Sequence, residues 1–213
     1  MSIKAVVLMT ALAHVLCGIT DCLMIYLPKG RFSFRMMNDP KKMARIFEGK
    51  SETSLMVSIL LGVLSLTMCF FGYMKLAQWM ESFSRGHATA MYIAGVLFFL
   101  PGIAHHVICG SAEWFYVHLG RTREALGAVN EYFRRSSLTM YVCYLGLLIY
   151  SGALFAAVFT GRTDLPGWAY ILNPMLIGIP LLIFRIPAAV NIAGFITFLG
   201  LFFVIVCTHE SFM

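Results

Sequence analysis

Ionisable and polar side chains stranded inside long apolar runs are where this chain could do chemistry. Asp21, His106 and Glu113 are the acid/base candidates. His14, His105, Asn173, Arg185 and Asn191 are the polar groups that could contact a ligand. A carboxylate beside an imidazole makes a proton relay or a general acid/base pair. His14 and Asp21 stand seven apart, about two helical turns, so they share a helix face. His106 and Glu113 repeat that spacing. His105 and His106 diverge by about 100° on a helix. No HxxxH or HExxH motif is present, so no metal site is expected. A purely structural reading stays open, because interhelical polar contacts are common glue in membranes.

The elements that must position these groups follow from composition. The chain has 213 residues, of which 60% are hydrophobic and only 12% charged. A soluble domain carries about 25% charge. The mean hydropathy of +0.81 excludes a disordered chain, a soluble enzyme domain and a disulfide-stapled secreted module. Six apolar stretches approach the roughly 20 residues that a bilayer span needs: 3–27, 55–80, 88–110, 138–160, 168–184 and 187–208. They lack the alternation of a β-barrel, and open sheets do not cross lipid, so helices are expected. The first run holds His14 and Asp21 and lacks a small-residue cleavage site, so it reads as a retained helix. The expectation is an all-α, polytopic transmembrane helical bundle forming one domain over 1–213.

The loops orient it. Lys29, Arg31, Arg35, Lys41, Lys42, Arg45, Lys50, Arg121, Arg123, Arg134, Arg135 and Arg185 fall on one side, and Lys4, Lys75, Arg85 and Arg162 on the other. By the positive-inside rule the first set is cytoplasmic, which puts both termini outside a cell inner (plasma) membrane. The net charge of +6 therefore reads as headgroup attraction, not nucleic-acid binding. Asp39-Pro40 starts a short amphipathic helix carrying Met43, Ile46 and Phe47. A second amphipathic stretch holds Leu126, Val129, Tyr132 and Phe133. Both are expected to lie on the inner leaflet. Asp21 and His106 each come late in spans that run the same way, so they share a depth. With His105, Glu113, Arg185 and Asn191 they would form a polar cluster toward the inner leaflet, with His14 nearer mid-membrane. Pro101 precedes the two histidines, and a proline kink suits a pocket. Pro174 and Pro180 break the fifth run. The six cysteines form no CxxC pair, so no redox or thiolate metal motif is expected.

The run Gly18-Ile19-Thr20-Asp21-Cys22-Leu23, a histidine-bearing third helix, Leu172-Asn173-Pro174 and Ile186-Pro187-Ala188 together resemble a bacterial family of six-span membrane proteins of unknown function. That family has glycine where Thr20 stands. The resemblance implies Asp21, a third-helix histidine and Asn173 as positions to test, and it implies no activity. His106, Glu113 and Trp114 are similar in chemistry to the sterol-isomerase-like membrane fold, by analogy alone. The leading functional expectation is binding or transport of a lipid-like or small apolar molecule, with membrane lipids as partners. The alternatives are an intramembrane acid/base isomerase or hydrolase acting on a lipid or isoprenoid-like substrate, and a structural or accessory membrane subunit. No nucleotide fingerprint or other cofactor motif is visible.

Overall fold

The computed structural model describes residues 2–209. Along the chain come α1 (Ile3–Ile25), the two-residue strands β1 (Tyr26–Leu27) and β2 (Gly30–Arg31), α2 (Pro40–Phe47), α3 (Glu52–Glu81), α4 (Arg85–His118), α5 (Arg123–Ser136), α6 (Leu138–Phe159), α7 (Pro174–Ile183) and α8 (Ala189–His209). Helix starts follow the capping chemistry of the sequence. Ser2, Ser51 and Thr122 accept backbone N–H groups of Ala5, Ser54 and Ala125, and Asp39 accepts that of Lys42 just before Pro40 opens its helix.

Five helices are long and apolar enough to cross a membrane: α1, α3, α4, α6 and α8. They pack antiparallel in sequence. Thr10 meets Gly72 and the Ser58 hydroxyl meets the Thr20 carbonyl between α1 and α3. His106 lies on Gly62 between α3 and α4, and Gly146 sits against Phe98 between α4 and α6. α8 returns along α1, with His14 on Gly194. One face of the bundle therefore carries the start of α1 and the ends of α3 and α6 (the terminal face). The opposite face carries the two long basic connections (the loop face).

The expectation of six continuous spans needs correcting at the fifth. Run 168–184 is a 3-10 turn (Gly167–Ile171) followed by the ten-residue α7. Ten residues reach only about 15 Å, half a hydrocarbon core. Asn173 and Pro174 cause the break. The Asn173 side chain accepts the N–H groups of Met175 and Leu176, and Pro174 has no N–H to continue a helix backward. The broken passage still brings the chain from the end of α6 on the terminal face to the start of α8 near the loop face.

The amphipathic segments form as helices, and their apolar sides are covered by protein. Met43, Ile46 and Phe47 of α2 and Leu126 and Val129 of α5 are buried in one cluster with Leu27, Leu55, Ala112 and Tyr116. α3 and α4 are long enough, at about 45 and 51 Å, to extend past a bilayer core and give these helices a wall. Arg121 Nε donates to the Phe47 carbonyl and Asn130 Nδ2 to that of Met37, tying α2 and α5 to the same cap. A larger apolar core lies toward the terminal face around Tyr73, Phe99, Tyr150 and Phe198. Tyr150 donates its hydroxyl to the Tyr73 carbonyl at 2.9 Å, so even this core leaves that phenol satisfied.

Helices in lipid gain little from hydrophobic burial against each other and depend on close approach. A Cβ on Gly146 would lie 2.4 Å from the Phe98 nitrogen and 2.6 Å from the Leu97 carbonyl carbon, both backbone atoms that cannot yield. A Cβ on Gly152, one and a half turns later, would meet nothing within 4 Å. Gly146→Ala is therefore expected to lower stability by about 1–3 kcal/mol. Gly152→Ala should be neutral or raise stability by up to about 1 kcal/mol. Thermal melting of the two variants in mild detergent checks this, and equal effects would contradict the packing.

Candidate functional site

Between the two apolar cores lies a polar layer built from α1, α3, α4 and α8. Its centre is Asp21. Asn191 Nδ2, from the first turn of α8, donates to Asp21 Oδ2 at 2.7 Å. His106 Nδ1, from α4, stands 3.6 Å from Asp21 Oδ1. The other carboxamide atom of Asn191, Oδ1, lies 3.1 Å from His14 Nδ1. A carboxylate only accepts, so Asn191 must present its NH2 to Asp21 and its oxygen to His14, and His14 must carry its proton on Nδ1. His106 Nε2 lies 3.2 Å from the Ser58 carbonyl, an acceptor, and so carries a proton there. The result is a continuous polar chain: His14, Asn191, Asp21, His106 and the Ser58 carbonyl.

At 3.6 Å, His106 Nδ1 faces Asp21 Oδ1 as a close acid/base neighbour, beyond direct hydrogen-bond distance.

Glycines make room for the rings. A Cβ at Gly62 would fall 1.8 Å from His106 Nε2, and one at Gly194 would fall 2.3 Å from the His14 ring. His14 is 2% exposed, and its Nε2 has no hydrogen-bond partner among the described residues.

The layer borders a cavity of about 290 Å³ lined by Asp21, His106, Asn191 and His14 on its polar side and by Leu66, Phe98 and Phe99 among its apolar walls. His105 also lines it but turns elsewhere, with Nδ1 3.1 Å from Thr139 Oγ1 and Nε2 3.4 Å from Cys109 Sγ. Glu113 lines the loop-face end, buried, with Oε2 unpartnered among the described residues. It shares a helix face with His106 without being its partner.

Two expected members do not join. Asn173 spends its side chain on the α7 cap and on the Ser151 carbonyl, 2.8 Å away. Arg185 is exposed in the turn between α7 and α8, where its carbonyl accepts from Arg31 Nη2 at 2.7 Å. His14, placed nearer mid-membrane by its sequence position, is drawn into the layer by Asn191.

Lys50 is a member that sequence reasoning missed. It is 8% exposed and donates from Nζ to the Leu23 carbonyl, capping the last turn of α1 with a cation. Burial pulls the pKa of its ammonium down from the ordinary value, and the Glu113 carboxylate works the other way. Among the described residues no group of three or more His, Cys, Asp and Glu side chains is placed to hold a metal ion.

Asp21 and His106 face each other at 3.6 Å, so their mutations are not independent. Asp21→Asn and His106→Ala should each destabilise the bundle, and the double variant should be little worse than the worse single one. The expected coupling is about 1 kcal/mol, within the range for polar pairs in membrane proteins. A double-mutant cycle read by thermal melting measures it; strict additivity would dissolve the pair.

Neither a curated protein nor a solved structure matches this chain. A family model described as a family of unknown function, DUF6796, matches residues 1–209. The chain belongs to that family.

Proposed function

We propose that this is an integral membrane protein whose inner cavity holds a small apolar or lipid-like molecule, with the Asp21–His106 pair facing it. The observation that carries the reading is the cavity itself. It is mostly apolar, has one convergent polar wall, and at about 290 Å³ lies at the small end of ligand sites. Ligand pockets have this composition, an apolar body with a few fixed polar groups that orient the occupant. The exterior supports the membrane setting. Leu12, Val15 and Ile19 of α1, Leu60 and Leu64 of α3 and Ile93, Val96 and Leu100 of α4 are all exposed, a cost in water and a gain in lipid. In this reading the loop face, with its twelve basic residues, is cytoplasmic, the termini lie outside, and the membrane is a cell inner membrane.

A second reading is favoured by the placement of Asp21 and His106. A carboxylate facing an imidazole at a cavity wall is an acid/base pair, so the occupant would be a substrate to be isomerised or hydrolysed.

The test is mass spectrometry of organic extracts from gently purified protein, for the wild type, Cys143→Phe and Asp21→Asn. Cys143 lines the cavity from α6 without belonging to the polar chain. The binding reading expects one apolar molecule per chain, depleted about tenfold in Cys143→Phe with melting temperature unchanged. Asp21→Asn should weaken retention if the protein only binds. It should keep the molecule but halt its conversion if the protein is an enzyme. A wild type that neither retains such a molecule nor gains thermal stability from isoprenoid and fatty-acyl probes would overturn both.

A further inference from the structure

A second, larger hollow lies on the other side of the His14–Asn191 wall. It is a groove of about 520 Å³ on the outer surface between α1 and α8, with Val15, Ile19, Cys22, Ile192 and Phe195 among its lining residues. Its surface is almost wholly apolar, and Val15 and Ile19 are exposed. The groove runs along the helices toward the loop face and ends at Tyr26, Pro187 and Ala188.

That end is not apolar in its surroundings. Tyr26 pairs across the β-hairpin with Arg31. The Arg31 guanidinium reaches the 184–188 turn to donate to the Arg185 carbonyl at 2.7 Å. One N–H satisfies that carbonyl, and a guanidinium has five. Arg185 stands exposed in the same turn, flanked by the exposed Phe184 and Ile186. Exposed apolar side chains beside an arginine are the mixture found where lipid tails give way to headgroups.

We propose that this groove is a binding site for one anionic phospholipid, an acyl chain lying between α1 and α8 and the phosphate held by Arg31 and Arg185. The length of the groove suits a chain, its lining suits hydrocarbon, and Arg31 and Arg185 belong to the hairpin and the turn at its loop-face end. Arginine forks match phosphate oxygens, and no acidic side chain lines the groove to oppose the anion. The site is separate from the inner cavity, although His14 and Asn191 back onto both. It therefore stands or falls independently of what the cavity holds.

The test is native mass spectrometry of the full chain released from nanodiscs of equal parts phosphatidylglycerol and phosphatidylcholine. The expected result is one tightly retained phosphatidylglycerol per chain. The Arg31→Gln/Arg185→Gln double variant should lose the preference for phosphatidylglycerol by about tenfold. Ile19→Trp, which fills the groove from an exposed position, should lose the retained lipid of either headgroup. Ile19 is exposed, so Ile19→Trp should leave the melting temperature unchanged; the double variant is read by its preference between two headgroups, which a lowered melting temperature would not mimic. Equal retention of the two lipids by the wild type, a preference that survives the double variant, or retention that survives Ile19→Trp would each overturn the site. Retention of the cavity molecule in Cys143→Phe, with phosphatidylglycerol behaving as expected, would overturn only the cavity reading.

Discussion

A carboxylate inside an apolar bundle must find its hydrogen bonds in the protein, and much of this fold is arranged around that requirement at Asp21. Three helices answer it. α8 supplies the Asn191 amide, α4 supplies His106, and α3 supplies the Ser58 carbonyl that orients the imidazole. Each answer brings a constraint of its own. His106 can reach Asp21 only because Gly62 leaves room for the ring, and His14 can meet Asn191 only because Gly194 does the same. A single ionisable residue thus sets the separations of α1 from α3, α4 and α8. The apolar contacts above and below fill the remaining space.

The two apolar cores make sense in that light. The core around Tyr73 toward the terminal face is packed between the long apolar helices, dense in aromatic rings and small residues. The cluster around Phe47 and Tyr116 is packed as a cap, made from amphipathic α2 and α5 laid on the ends of α3 and α4. The polar layer lies where one kind of packing gives way to the other. Lys50 belongs to the cap, yet its ammonium reaches the last turn of α1, so the two regions are joined by a charge on a helix end as well as by the chain.

Much of this was legible in the sequence, for reasons that separate cleanly. Hydropathy located the long helices, because a run of 20 apolar residues has few other uses. The depth argument paired Asp21 with His106, because two helices running the same way place equivalent positions at the same level. Glu113 lines the same cavity as His106, but toward its loop-face end. Seven residues along a helix is about 10.5 Å, so two side chains can share a face and still be out of reach. The partner had to come from another helix, and helix neighbours are tertiary information. The amphipathic helices were legible as amphipathic, but an apolar stripe does not say what covers it, and here much of it is covered by protein. Lys50 left no signal at all among seven basic residues of one loop.

The fifth passage shows how a local rule shapes the distant site. Asn173 spends its oxygen on two backbone N–H groups and its NH2 on the Ser151 carbonyl of α6, so the broken chain is pinned where it breaks. With only ten residues left, α7 ends at Ile183 and the chain must reverse sharply. Arg185 and Ala188 both adopt positive φ, near 55°, to make that turn. Neither is glycine, so both carry the strain of a left-handed backbone, about 1–2 kcal/mol each. The turn is held by Arg31 from outside and by the start of α8 from within, where Asn191 meets Asp21. The strained reversal therefore brings Asn191 to the carboxylate with one side and presents Arg185 with the other. Asn173, although it touches neither Asp21 nor His106, sets where both ends of that turn fall.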